Sequence, residues 1–186
     1  MSEDFLKNPL SLFDVKGKTA LITGATGAFG ALAAQVLSGA GCNVVLAAGG
    51  AEALKKVAAD CEKLGAKVET VNMRPSSAAI CDKIVEAAVK RFGGVDIVVL
   101  AAGINKVQKI VDQPPEAFAE VMDVNVTQSW LMARAAGKQM LAQNRGGKET
   151  VAKAGDSVYI GPNESREIIN RSNEVCTIAV AVAPVK

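Results

Sequence analysis

The chain has 186 residues, 49% of them hydrophobic but only 4% aromatic, enough for one sizeable core filled by small aliphatic side chains. A net charge of +2 with no long basic run argues against a nucleic-acid surface, and no apolar stretch is long enough to span a bilayer. Histidine is absent, which removes the commonest general base and the commonest metal ligand together.

Four cysteines, Cys42, Cys61, Cys81 and Cys176, form no Cys-x-x-Cys pair, so neither a zinc site nor a redox motif is expected, and no metal ligand set is assigned. Scattered reduced thiols and an acidic start, Met1-Ser2-Glu3-Asp4, without an apolar signal core point to a cytoplasmic protein.

From Thr19 the pattern alternates between short apolar runs and longer amphipathic segments. Thr19 to Thr23 reads as a buried strand, and Ala28 to Gly39 as a helix ended by glycine. Asn43 to Ala47 is a second strand. Helical spacing of Leu54, Val57, Ala58, Cys61 and Leu64 marks a helix over 51–64, closed by Gly65. Lys67 to Asn72 is a third strand, and Ser77 to Phe92 a helix with Ile80, Ile84, Val85, Ala88 and Val89 on one face. Val95 to Leu100 is almost continuously apolar, as a strand covered on both faces must be. After Pro114-Pro115 one long helix is expected to about Gln143, with Phe118, Val121, Met122 and Trp130 toward the core.

This alternation implies right-handed crossovers and an α/β fold, a doubly wound parallel sheet with helices on both faces. Beyond Arg145-Gly146-Gly147-Lys148 the segments shorten. Glu149 to Lys153, Ser157 to Ile160, Arg166 to Asn170 and Val175 to Ala183 read as strands between turn residues. A boundary near residue 147 thus separates a domain over 1–147 from a β-rich tail over 148–186.

Thr23-Gly24-Ala25-Thr26-Gly27-Ala28-Phe29-Gly30 joins the first strand to the first helix. Gly24 allows a sharp turn off the strand. Thr26, Gly27 and Ala28 are small enough for a pyrophosphate to approach the backbone, and Gly30 lets the helix pack close on the sheet. Free amides at the helix start, aided by the helix dipole, suit an anion. The same residues would also serve a tight strand-to-helix turn with no ligand; their place after the first strand of a βαβ series favours a dinucleotide.

Thr23-Gly24-x-x-x-Ala28-x-Gly30 at the first turn resembles the Thr-Gly-x-x-x-Gly-x-Gly of the short-chain dehydrogenase/reductase family, as does Phe13-Asp14-Val15-Lys16-Gly17-Lys18 leading into the first strand. Leu100-Ala101-Ala102-Gly103 stands where that family has Asn-Asn-Ala-Gly. Val124-Asn125-Val126 stands where it carries the Asn of its catalytic tetrad. The resemblance covers about residues 10–147. It implies a Rossmann fold, a nicotinamide dinucleotide as partner, and oxidoreduction of an alcohol or carbonyl. It places the cofactor on Gly24, Thr26, Gly27, Ala28, Phe29 and Gly30, on Ala48 and Gly49, and on Ala102 and Gly103, with Asn125 as the remnant of the catalytic set.

There are departures. Ala28 replaces the family's middle glycine, both asparagines of Asn-Asn-Ala-Gly are gone, and Arg74 stands for the Asp expected after the third strand. The second strand ends in Ala47-Ala48-Gly49-Gly50, neither acidic nor basic. With no carboxylate to repel a 2′-phosphate, and with Arg74 or Lys55 at hand, the NAD(P) reading leans to NADP. The family supplies its proton through Ser and Tyr-x-x-x-Lys. Here the single tyrosine, Tyr159, is followed by Asn163 at the lysine position and sits in a strand-like run. Three readings therefore stand: a catalytically incomplete dehydrogenase, a non-catalytic nicotinamide-binding or assembly module, and a truncated or fused fragment without function.

The tail carries a second, weaker resemblance. Lys153 to Asn163 is similar to the second motif of cupins, with Arg166 at the position of its histidine ligand and Asn170 at its asparagine. Ile178 to Pro184 also resembles a later strand of the dehydrogenase family. A sheet ordered 3-2-1-4 leaves Val95 to Leu100 as an apolar edge. A tail strand, Cys176 to Val182, is expected to pair there, within one chain or across a homo-oligomer.

Overall fold

A computed structural model describes residues 13–143. The residues that carry Tyr159, the cupin-like motif and the Cys176 to Val182 strand lie outside the described residues.

Four strands, β1 (Thr19–Thr23), β2 (Asn43–Ala47), β3 (Val68–Val71) and β4 (Ile97–Leu100), form one parallel sheet in the order β3-β2-β1-β4. β1 is buried along its whole length, which is why its sequence is an unbroken run without charge. The pairings Thr23 with Ala47, Thr23 with Leu100, and Ala47 with Val71 bring all four carboxyl ends to one edge.

Helices alternate with the strands: α1 (Ala28–Gly39), α2 (Ala51–Lys63) and α3 (Ala78–Phe92). α2 buries Leu54, Val57, Ala58 and Cys61 as their spacing predicts, whereas Leu64, expected on the same face, lies just past the helix end and is exposed. α3 starts where the Ser77 hydroxyl accepts the Ile80 amide at 3.3 Å and stops at Gly93, whose left-handed backbone turns the chain away. Successive strand residues point to opposite faces, so the sheet builds two cores. Ala20, Ile22, Val44 and Leu46 pack against α1 and α2. Leu21, Val45 and Val71 pack against α3 and the last helix, through Ile84, Val85, Ala88 and Met132.

Two expectations are corrected after β4. The helix from Pro115 is not continuous: α4 (Pro115–Met122) passes through a π-helical turn (Asp123–Thr127) into α5 (Gln128–Gln143). The core-facing residues also differ. Phe118, Met122 and Trp130 are exposed, Trp130 by 61%, while Ala117, Gln128, Met132, Ala135 and Ala136 are buried. The extra residue of the π turn rotates α5 relative to a regular continuation of α4, so one periodicity cannot be carried across it.

The fourth strand is shorter than its apolar run. Val95 is fully buried but lies outside the ladder; its amide donates to the Gln143 side chain at 3.0 Å, and its carbonyl accepts from the same side chain at 2.5 Å. A glutamine from the end of α5 thus supplies the partners that a neighbouring strand would otherwise give. Among the described residues β4 pairs with β1 alone, and Leu100 at its end is exposed.

Candidate functional site

The carboxyl edge of the sheet gathers the residues singled out by sequence. Gly24 leaves β1 with φ +60, a left-handed conformation that disfavours any side chain. A Cβ there would also stand 2.5 Å from the Ala101 carbonyl oxygen and 2.6 Å from the Ala102 Cα. Two backbones therefore meet at this point, and the first turn sits directly on the segment after β4. Gly30, in the first turn of α1, is just as confined: a Cβ would fall on the Gly24 carbonyl and 2.9 Å from the Ala25 Cα. The glycines hold the first turn of α1 tight against the end of β1.

That compression has a consequence for polar groups. The Gly27 amide donates to the Gly24 carbonyl at 2.9 Å, and the Gly27 carbonyl accepts from Ala31 at 2.8 Å. The helix begins at Ala28, and no side chain caps it. The amides of its first turn have no intrahelical acceptors. Gly27, Ala28 and Phe29 are exposed at this spot and Thr26 is half-buried beside them. The arrangement can accept an anion through backbone N–H groups with a helix dipole behind them.

The ends of β2 and β3 form the next part. Ala48 is buried, its amide donating to Val71 at 3.3 Å, while Gly49 and Gly50 are exposed. The first residue past β3 is Asn72. Its Oδ1 accepts the Gly50 amide at 2.9 Å and so ties the two strand ends together. Sequence reasoning passed over Asn72 and gave the polar position after the third strand to Arg74. The available signal was a polar residue immediately after a strand that faces a glycine pair. Arg74 lies across Gly49. Lys55, the other basic candidate, pairs with Glu52 at 2.8 Å on the exposed face of α2.

Asn125 sits in the π turn, where its side chain is engaged at both ends. Oδ1 accepts the Ile104 amide at 2.8 Å, and Nδ2 donates to the Ile104 carbonyl at 2.9 Å. A Cβ on Gly103 would be 3.2 Å from the same Oδ1. Asn125 thus fixes the segment after Gly103, which in turn abuts Gly24 through Ala101 and Ala102. The four groups of sequence-predicted residues form a connected row along the sheet edge.

Burial pushes the Cys42, Cys61 and Cys81 thiols up from their ordinary range, and all three are free cysteines. Among the described residues no group of three or more Cys, Asp or Glu side chains could hold a metal ion. None of their helices is long and apolar enough to cross a membrane.

A β3-β2-β1-β4 parallel sheet with a glycine turn at its carboxyl edge defines a doubly wound domain of the Rossmann type. Comparison with known proteins narrows this. The family model for short chain dehydrogenases matches residues 18–148, and the chain belongs to that oxidoreductase family. An uncharacterised oxidoreductase of Mycobacterium tuberculosis is 42% identical over 141 residues, covering 74% of this chain and 50% of its own length. The crystal structure of a short-chain type dehydrogenase/reductase from Mycobacterium marinum superposes with a TM-score of 0.71 at 37% identity, over 74% of this chain and 56% of that one. That of NAD+-bound xylitol dehydrogenase superposes with a TM-score of 0.67 at 30% identity, over 69% and 50%. The chain therefore spans about half the length of such relatives.

Proposed function

We propose that this chain binds a nicotinamide dinucleotide at the carboxyl edge of its sheet, as the cofactor-holding part of an oxidoreductase acting on alcohols or carbonyls. One observation carries the reading: the first turn of α1 is pressed onto β1 by Gly24 and Gly30, and it opens on exposed amides that no side chain caps. A diphosphate fits that cradle, and a cradle already filled by the chain's own side chains would not accept one. In this reading Gly24, Thr26, Gly27, Ala28, Phe29 and Gly30 hold the pyrophosphate. Ala48 and Gly49 face the adenosine ribose, and Ala102 and Gly103 line the adenosine and nicotinamide ribose side. Asn125 is a positioning residue that keeps Gly103 in place. The ribose end favours NADP, since no carboxylate stands at the end of β2.

A bound nicotinamide supplies or takes the hydride; the protein must then move a proton at the substrate oxygen. The sequence holds no histidine, and its single tyrosine lacks a lysine at the fourth residue on. Binding without efficient turnover is accordingly the proposed behaviour. Buried free thiols support a reducing, cytoplasmic setting. Titration of the full chain with NADPH and NADH, followed by cofactor fluorescence, tests the reading. Saturable binding is expected, and a chain that binds neither would overturn it and leave the fragment without function. Turnover on a carbonyl panel would overturn the catalytic part alone.

A second reading, a homo-oligomeric assembly module, is favoured by β4 pairing with β1 alone among the described residues and by the exposure of Leu100. Sedimentation of the full chain distinguishes the two, since a monomer at every concentration removes the second.

A further inference from the structure

Arg74 stands in the loop between β3 and α3. It is exposed, yet its side chain is laid over the backbone of Gly49. A Cβ on residue 49 would stand 2.6 Å from the Arg74 Nε, 3.3 Å from its Cγ and 3.4 Å from its Cδ. In this position the arginine uses the space that a side chain on residue 49 would take. The loop holds its base still: the Arg74 carbonyl accepts the Ser76 amide at 2.7 Å, the Met73 amide donates to Val71 at 2.8 Å, and Pro75 next to it is buried.

Among the described residues the charge at this place is uncompensated, and no carboxylate forms an ion pair with Arg74. Ala47, Ala48, Gly49 and Gly50 offer no acid that would compete. A planar guanidinium with no ion-pair partner among the described residues, beside the strand end where an adenosine ribose lies in a doubly wound sheet, matches a phosphate monoester.

We propose that Arg74 is the residue that selects the dinucleotide, accepting the 2′-phosphate of NADP over the Gly49 backbone. The assignment deepens the binding proposed above and rests on it. It also gives Gly49 a role: a side chain there competes with the guanidinium for the same space, and an acidic one would face the ribose.

The test is a pair of titrations, NADPH and NADH, on the full wild-type chain, on Arg74→Ala and on Gly49→Asp. The wild type should prefer NADPH. Arg74→Ala should weaken NADPH about 10- to 100-fold and leave NADH within about twofold, the loss of a charge-assisted contact. Gly49→Asp should reverse the preference. Unchanged thermal unfolding of Arg74→Ala shows that the fold is not the cause. An equal loss of both nucleotides in Arg74→Ala would mean that the guanidinium stacks on the adenine, and it overturns the proposal. A wild type without preference overturns it as well. In both cases NADH binding survives in the wild type, so the dinucleotide site stands; a wild type that binds neither nucleotide removes the site and the selector together.

Discussion

The two ends of β1's neighbourhood are built in opposite ways. At the turn between β1 and α1, backbone meets backbone: Gly24 touches Ala101 and Ala102, and Gly30 touches Gly24. Beyond β4, side chains decide the structure, and several large ones face outward, among them Phe118, Met122 and Trp130. A contact between backbones tolerates no substitution, and so it leaves its mark on the sequence as glycine. A contact between side chains can be met by many residues, and the sequence alone does not say which face they take.

Substitutions can break that contrast, the largest effect falling on the turn. Gly24→Ala combines a left-handed backbone with a clash against Ala101, and should cost about 2–5 kcal/mol in urea unfolding. Nucleotide binding should be lost with it. A fully stable variant would mean that the two backbones are not in contact.

On the other side, α5 offers a matched pair. Met132 is fully buried in the core that α5 shares with α3, whereas Trp130 is 61% exposed. Met132→Ala should cost about 2–5 kcal/mol, and Trp130→Ala no more than about 0.5 kcal/mol. Equal costs would put the indole in a core after all.

Asn125 links the two regions. Asn125→Ala removes both bonds to Ile104, and should cost about 1 kcal/mol because the site is exposed. The readout is faster amide exchange at Ile104, with no change at Thr23. Protection that stays the same would show that the clamp is not holding the segment.

The smallest effect is a pH dependence shared by both cores. The three buried thiols have raised pKa values, so the neutral thiol is the form that the folded chain favours. Their contribution is fully present below the ordinary thiol value of 9.0 and is lost as pH rises beyond it. The urea midpoint should fall across that range, and less steeply in Cys81→Ala. A midpoint that is flat above this pH would show that the thiols ionise freely in the folded chain.

Most of the sheet was legible because buried parallel strands and amphipathic helices have different periods. β1, α1 and β2 match their expected bounds, and the order β3-β2-β1-β4 is the one anticipated. The candidate site was legible wherever glycine marked it. What escaped was the reach of polar side chains between distant segments. Asn72 reaching Gly50, Gln143 replacing a strand partner for Val95, and Asn125 spanning to Ile104 each join residues far apart in the chain. A local pattern can mark the polar residue, as it does for Asn72 just past β3, but not the distant backbone group it reaches.

The sequence by itself determined the alternation of strands and helices, the glycine turn after the first strand and the absence of histidine, since each is a matter of residue type and spacing. Only the tertiary structure decided that the helix after Pro115 is interrupted by a π turn, that Trp130 points to solvent, and that Arg74 rests on Gly49. Those outcomes depend on which surfaces meet when helices settle on a sheet, and packing of that kind is set by shape in three dimensions rather than by order along the chain.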